Sequence, residues 1–311
     1  MISIAIITQK AFKDSYQVKR LLEEFKDLGT LPVHISMEDI VIQFNTTKAQ
    51  ICYYDASSKT LQDLLQFDAY FFREVFSQMK NAINIATWLK QKGATVVDNN
   101  LTNVNYLNNK IQEGFELTSA QVPFIPTLNF ADKEVLFKNL DYLETSLGGY
   151  PIIAKKRGSG KGMGIWMLKS RQELINLIEN TIATHRFGGE VVKLFLFQKF
   201  IRVKEEYRVF VVNNKVIAAM QRIPKQGDFR ANYSQGGTVR PAKVTKAMES
   251  LSLKAAKATQ AIIAGVDYAI THDGKEYIFE VNRTPGFKGL EGATGINVAR
   301  ILAEYVLSQI L

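Results

Sequence analysis

An Asp-Gly pair near the C-terminus places more of this chain in space than any other local feature. Asp273-Gly274 sits at the centre of Thr271-His272-Asp273-Gly274-Lys275, between two runs of β-forming residues, Gly265–Ile270 and Tyr277–Val281. Asp-Gly readily takes the left-handed backbone of a two-residue hairpin turn, so the segment reads as an antiparallel hairpin. With Asp273 and Gly274 as its loop, Asp267 stands opposite Glu280 and Gly265 opposite Asn282. Cross-strand partners share a face, and so do residues two apart on a strand. Asp267, Glu280 and Asn282 therefore converge on one face, among Val266, Ile278, Phe279 and Val281, and Gly265 leaves room beside Asn282. Two close carboxylates repel unless a proton or a cation separates them. No His or Cys accompanies them, so a hard cation fits best: Mg²⁺ (or Mn²⁺), which commonly binds through one or two carboxylates plus phosphates and water. The competing reading is a polar strand face turned to solvent.

The positive charge of the chain is concentrated in one region. The whole carries +9, yet residues 151–245 alone hold eighteen basic and six acidic residues, a balance of +12. Such a region suits an anionic ligand, whether a polyphosphate, an acidic peptide or a nucleic acid. Inside it lies a glycine-rich segment, Lys155-Lys156-Arg157-Gly158-Ser159-Gly160-Lys161-Gly162-Met163-Gly164-Ile165. Alternate glycines let backbone N–H groups turn toward an anion without steric cost. No Gly-Lys-Ser/Thr opens a helix here, and a strand follows where a dinucleotide fingerprint needs a helix. A flap over nucleotide phosphates is the better reading, with a plain flexible hairpin as its rival. The nucleic-acid reading lacks a recognition helix, a zinc finger or paired aromatic platforms.

Periodicity divides the chain into three units. Residues 1–100 alternate strands (Ile2–Thr8, Asp68–Phe72, Ala94–Val97) with helices. One carries Val18, Leu21, Leu22, Phe25 and Leu28 on one face; the other spans Met79–Lys92. This alternation argues a parallel-sheet α/β domain. Residues 101–186 combine helical segments at Val104–Leu117 and Asp132–Leu143 with strands Tyr150–Lys155 and Gly164–Leu168, and Ser170–Glu173 forms a capping box. Residues 187–311 are strand-rich (Leu194–Gln198, Arg208–Val212, Lys215–Met220), followed by a helix from Thr245 to Ala264, the hairpin, and a last helix at Asn297–Leu311. The expected class is mixed α/β and α+β. The N-terminus reads as a buried strand rather than a signal peptide, and no window nears the ~18 apolar residues of a membrane span. The single cysteine, Cys52, excludes an internal disulfide and a thiolate pair for zinc. A cytoplasmic protein is expected, with His34, His185 and His272 as surface or core residues.

Taken in order, Lys155, the glycine segment, Gln198-Lys199-Phe200-Ile201, Glu206-Tyr207-Arg208, Gly227-Asp228-Phe229-Arg230-Ala231-Asn232, Ala264–Asp267, Glu280-Val281-Asn282 and Pro285-Gly286 resemble the ATP-grasp superfamily. The likeness is closest to its RimK-type branch, glutamate ligases that modify a ribosomal protein, and runs from about Asn109 to the C-terminus. It implies an ATP-grasp fold preceded by a parallel-sheet pre-ATP-grasp domain, with ATP held between two subdomains. By the same resemblance Lys110 and Lys155 contact phosphates while Gly158, Ser159, Gly160 and Gly162 close over them. Gln198, Lys199, Phe200 and Ile201 form the adenine hinge, Glu206 meets the ribose, and Arg230, Ala231 and Asn232 add further ATP contacts. Asp267, Glu280 and Asn282 match the Mg²⁺ ligands. A substrate carboxylate then attacks the γ-phosphate, and an amine captures the acylphosphate to give an amide, ADP and phosphate. Arg222 and Arg230 are the candidates for stabilising the transferring phosphoryl group.

Two departures bear on the substrate. Lys199 replaces an acidic hinge residue, and Arg283 stands where the glutamate ligases carry a small residue, beside the acceptor site. Arg73, Arg208 and Arg283 are the candidate substrate residues, with a surface pair between Arg73 and Glu74 as the alternative for the first. The expected partners are ATP and an amino acid or acidic peptide, including a peptide or protein C-terminus, with no membrane and with nucleic acid disfavoured. A homodimer or homotetramer follows from the resemblance.

Overall fold

In the computed structural model, residues 1–44, 46, 49–102, 110–156, 164–184, 195–224 and 237–310 are described. The glycine segment 157–163, the beginning of the expected helix at 104–109, His185 and the stretch holding Arg230, Ala231 and Asn232 lie outside these residues.

The N-terminal unit is built on β1 (Ser3–Thr8), an apolar run whose Ile4, Ala5, Ile6 and Ile7 have no exposed surface. Burial on both faces is what an interior strand of a parallel sheet requires. Ser15 caps α1 (Tyr16–Asp27), its Oγ accepting the Val18 N–H at 3.3 Å, and Gly29 ends the turn at φ +73°. The chain then forms β2 (Leu31–Ser36), parallel to β1, and a three-stranded antiparallel meander of β3 (Ile40–Phe44), β4 (Ala49–Asp55) and β5 (Thr60–Asp63). Sequence reading finds neither β2 nor the meander. In β3 Val41, Ile42 and Phe44 are all exposed, so the two-residue alternation that marks a half-buried strand is missing. β6 (Ala69–Phe72) returns parallel to β1, and α2 (Met79–Gln91) leads to β7 (Thr95–Val96) and the short α3 (Asn99–Thr102). The sheet order is β2-β1-β6-β7.

A second sheet follows α4 (Lys110–Ser119). It comprises β8 (Thr127–Leu128), β9 (Ile152–Lys156), β10 (Ile165–Leu168) and β11 (Phe195–Lys199), in the order β10-β9-β11-β8. Between β8 and β9 stand α5 (Lys133–Lys138) and α6 (Leu140–Leu147), and α7 (Arg171–Thr184) follows β10. Leu136, Leu143, Leu147, Leu174 and Ile178 cover the sheet through Ile152, Ala154, Phe195 and Phe197. The single helix expected over Asp132–Leu143 is two helices. Asn139 leaves helical geometry at φ −121° and its Nδ2 donates to the Val135 carbonyl at 2.7 Å. The Ser170 half of the capping box forms as expected, Oγ accepting from Glu173 N, while Glu173 Oε2 accepts from Lys169 N, one residue before the cap.

The third sheet is antiparallel throughout, β14-β13-β12-β15-β16, from β12 (Val203–Val212), β13 (Lys215–Ile223), β14 (Thr238–Ala242), β15 (Ile263–Thr271) and β16 (Glu276–Asn282). α8 (Lys246–Ala258) covers one face through Met248, Ala255 and Ala256 on Val209, Val211, Ala264, Val266 and Val281. The helix expected to reach Ala264 stops here, because Gln260 turns the chain at φ +53° and Ile263 opens β15. After α9 (Lys288–Thr294), α10 (Val298–Leu307) returns to the first sheet. Its Leu302 and Val306 share a core with Ile4, Ile6, Leu21 and Phe25, and with Phe210, Val212, Ala218 and Met220 of the third sheet. The other face of that sheet thus docks the N-terminal unit with its apolar end and leaves a charged end facing the second sheet.

Asp98 sits at this junction, accepting the Phe72 N–H at 2.8 Å, and burial pushes its carboxyl up to about 6 despite the nearby Arg73. The folded state holds that proton more tightly than an unfolded Asp of pKa about 4, so this group's contribution to stability falls as pH rises from about 4 through 6. Asp98→Asn keeps an acceptor for Phe72 and removes the titration. Its stability relative to the parent should therefore be higher at pH 7 than at pH 4, by about 2–3 kcal/mol. Urea unfolding of both proteins at the two values checks this.

Candidate active site

Asp267 does pair with Glu280, and Gly265 with Asn282. The route differs from the simple hairpin. The turn has three residues, since Thr271 pairs with Lys275 through its backbone N–H to the Lys275 carbonyl at 2.9 Å, and Gly274 sits at φ +78°. Tyr268 consequently pairs with Ile278, one residue out of step, until a bulge between Asp267 and Tyr268 restores the register at Glu280. Two one-residue offsets cancel. The space beside Gly265 is filled: a Cβ there would lie 2.7 Å from Pro285 Cβ and 2.9 Å from Arg208 Cδ and Nη1.

The charged end of the third sheet is a set of interlocked ion pairs. Arg208 lies opposite Asp267 on β12 and grips it with two bonds, Nε to Oδ1 at 2.5 Å and Nη2 to Oδ2 at 3.0 Å. Arg222 Nη1, on β13, reaches Asp267 Oδ1 at 3.1 Å and Glu206 Oε1 at 3.4 Å. Burial alone raises the Asp267 pKa, but the two guanidinium charges outweigh it and hold the carboxyl below its ordinary range. Glu206 has less compensation: burial and the neighbouring Asp267 leave it raised.

From the other side of the cleft α4 supplies Lys110, whose Nζ lies 2.6 Å from Glu280 Oε1 and 3.7 Å from Glu113 Oε1. Partial desolvation opposes ionisation of both Lys110 and Glu280, yet each other's charge overcomes it, so Lys110 is raised and Glu280 lowered. Burial shifts Glu113 up, and burial together with the charge of Lys110 shifts Lys155 down. Lys155 on β9 thus faces the same cluster, where the charges of Glu280, Glu113 and Glu206 only partly offset the cost of its burial. Gln198 is buried at the end of β11, its Nε2 donating to Thr127 Oγ1 at 2.8 Å while Oε1 has no hydrogen-bond partner. Lys199 N bonds the Pro126 carbonyl, and Phe200 and Ile201 connect β11 of the second sheet to β12 of the third.

Among the described residues no three His, Cys, Asp or Glu side chains gather as a metal cluster. A cation here would rely on two carboxylates and an amide, and would share the Asp267 carboxylate with Arg208 and Arg222. Asn282 Oδ1 accepts the Thr284 N–H at 3.0 Å, which leaves it one lone pair. Glu280 is 41% exposed and, among the described residues, is held by Lys110. All three donors are hard oxygens on one strand pair, a set that suits Mg²⁺.

The remaining expectations meet a different environment. Arg73 is no surface residue: its side chain has no exposed area, and Nη2 donates to the Pro285 carbonyl at 2.6 Å. Glu74 instead accepts from Ser15 Oγ and Gln17 Nε2. Arg283 is buried against Glu116, Nη2 to Oε2 at 2.6 Å. Glu113 and Glu116 escaped the sequence reading. The signal was Lys110, Glu113 and Glu116 at three-residue spacing, one stripe of a helix that meets the strand holding Glu280 and Arg283.

Comparison with known proteins adds to this geometry. Residues 125–306 match the model of the RimK-like ATP-grasp domain. A probable alpha-L-glutamate ligase 2 of Shewanella amazonensis is 28% identical over 305 residues, 97% of this chain and 94% of its own. The ATP-grasp ligase PsnB, solved with a minimal precursor, magnesium and ADP, superposes with a TM-score of 0.67 at 15% identity, over 99% of this chain and 98% of its own. A RiPP-associated ATP-grasp ligase of Chryseobacterium gregarium, in complex with ADP and a leader and core peptide, gives 0.70 at 14% identity over 99% and 97%. The fold is the ATP-grasp fold.

The crowding around Gly265 makes it a sensitive position. Gly265→Ala sets a methyl against the Pro285 ring and the Arg208 stem, and should cost about 1–3 kcal/mol. Urea unfolding gives the stability. Binding of Mg²⁺-ATP, measured calorimetrically, should weaken because the Arg208–Asp267 pair must move; binding equal to that of the parent would show that the neighbours yield freely.

Proposed function

Because the chain belongs to the RimK-like ATP-grasp family, its activity is the ATP-dependent joining of a carboxylate to an amine, and we propose that the charged face of β12, β13, β15 and β16 is where this occurs. The arrangement of Lys110 on Glu280 and of Arg208 and Arg222 on Asp267 carries the reading. These cations turn inward onto carboxylates instead of forming an exposed basic surface, so they suit a small polyanion that enters the cleft. In this reading residues 101–186 and 187–311 enclose ATP, and residues 1–100 close a third side.

Asp267, Glu280 and Asn282 hold Mg²⁺, which when bound neutralises phosphate oxygens and lowers the cost of charge developing there. Lys110 moves from Glu280 to a phosphate, freeing the carboxylate; Lys155, whose charge is disfavoured by burial beside Lys110, gains a phosphate as partner. The flap Gly158, Ser159, Gly160 and Gly162, with Arg230, Ala231 and Asn232, completes the ATP contacts. Gln198, Lys199, Phe200 and Ile201 meet the adenine, and Glu206 the ribose. A substrate carboxylate oxygen attacks the γ-phosphorus and ADP leaves. Arg222 and Arg230 hold the transferring phosphoryl group, and Arg208 fixes Asp267 while facing the substrate. The amine then attacks the acyl carbon, phosphate departs and the amine proton is lost to solvent or phosphate. Charge stabilisation by fixed groups supplies most of the acceleration in such transfers. The substrate class is an amino acid or an acidic peptide, as the basic excess favours, with Arg283 and Glu116 beside the acceptor.

ADP release with Mg²⁺-ATP, screened over the twenty amino acids and acidic peptides with product masses recorded, tests the activity. A product equal to two substrates less water identifies both. EDTA should abolish turnover. Glu280→Ala should lower ADP release by at least about a hundredfold with unchanged circular dichroism, since it removes a half-exposed ligand; near-normal turnover would remove Glu280 from the metal site.

A further inference from the structure

We propose that Arg73 is a positioning residue of this active site: from the core of the N-terminal unit it fixes the turn that follows β16, and through that turn the strand end bearing Glu280 and Asn282. The inference rests on the functional reading above. Arg73 continues the first sheet one residue beyond β6, its backbone N–H donating to the Ile7 carbonyl at 2.9 Å. Its guanidinium lies over the Phe71 ring, 5.3 Å from the centroid, and is completely buried. Nη2 makes one short bond to a neutral acceptor, the Pro285 carbonyl at 2.6 Å, while Nε and Nη1 are buried and without hydrogen-bond partners.

That arrangement is expensive. A buried cation ordinarily takes a carboxylate, yet the two acidic groups close by are used otherwise. Asp98 accepts the Phe72 N–H, and Glu74 accepts from Ser15 and Gln17. A guanidinium kept in such surroundings for a single carbonyl is a local violation of the kind that folded proteins tolerate at functional sites. What it holds is specific. Pro285 is wedged between Arg73 and Gly265, where no Cβ fits, and Gly265 pairs with Asn282. Arg208 packs against the same Gly265 and grips Asp267. Asn282 Oδ1 in turn caps the turn at Thr284 N. Contacts therefore run without interruption from Arg73 through Pro285 to the metal-ligand strand pair.

The test uses the full-length protein with Arg73→Lys and Arg73→Met, and Ile4→Val as a control that perturbs the same core at the end of β1 remote from Arg73. Without metal or nucleotide, amide exchange over residues 282–287 should accelerate about tenfold in both Arg73 variants and less in the control. The Mg²⁺ concentration for half-maximal ATP binding should rise by a similar factor, with partial recovery in Arg73→Lys. If Arg73→Met does not fold, Arg73→Lys alone decides. Exchange over 282–287 unchanged in the folded variants, or changed equally in Ile4→Val, overturns the proposal. A parent protein that ligates nothing while the exchange effect persists sinks the ligase reading and leaves the positioning role standing.

Discussion

The bidentate contact between Arg208 and Asp267 is the interaction on which the rest of the site depends. Both residues are nearly buried on central strands of the third sheet and directly opposed across the β12–β15 ladder. Desolvating two charges costs several kcal/mol per ion, and the attraction compensates only when geometry is good and the remaining lone pairs are satisfied. Here Arg222 supplies the further donor to Asp267, and Glu206 answers Arg222. Removal of any one member would leave a buried charge uncompensated, a loss of about 3–5 kcal/mol for pairs of this kind. These pairs fix Arg208, Arg222, Asp267 and Glu206 against one another along the face.

The same face of the sheet performs two tasks because its two ends differ in chemistry. Phe210, Val212, Ala218 and Met220 are apolar and accept the first sheet with α1 and α10. Two to four residues further along β12 and β13 stand Arg208, Glu206 and Arg222, with Asp267 opposite Arg208 on β15. The strand period of two keeps these residues on one side, so docking of the N-terminal unit brings its strand ends and Arg73 up to the charged region. Folding of that unit is thereby tied to the geometry of the site, and the last helix completes the core of the first strand.

The cations of the cleft are balanced by carboxylates rather than by solvent. Lys110 and Glu280 satisfy one another across the cleft, whereas Lys155 is depressed by burial. In the proposed reading a polyphosphate with its cation would offer each of these groups a stronger partner, so binding would exchange ion pairs instead of creating isolated charges. The +12 balance of residues 151–245 is consistent with this, because part of it is turned inward.

Much of the fold is legible in the sequence. The strand–helix alternation of the first hundred residues, the capping box at Ser170 and the facing of Asp267 and Glu280 all follow from local rules of period and turn chemistry. The facing was right for an incomplete reason, since a three-residue turn and a bulge offset each other; a bulge depends on neighbouring strands and leaves no fixed mark in sequence. The exposed meander β3–β5, the break at Asn139 and the end of α8 were hidden because exposure or packing there overrides periodicity. Sequence alone determined which residue types were available and which of them alternate onto a common face, because both are properties of a single strand or helix. Only the tertiary structure decided that Arg73 is buried against Pro285, that Arg283 pairs with Glu116 and that Lys110 closes on Glu280. Each of these joins segments far apart in the chain, and such partners are chosen by how whole elements pack.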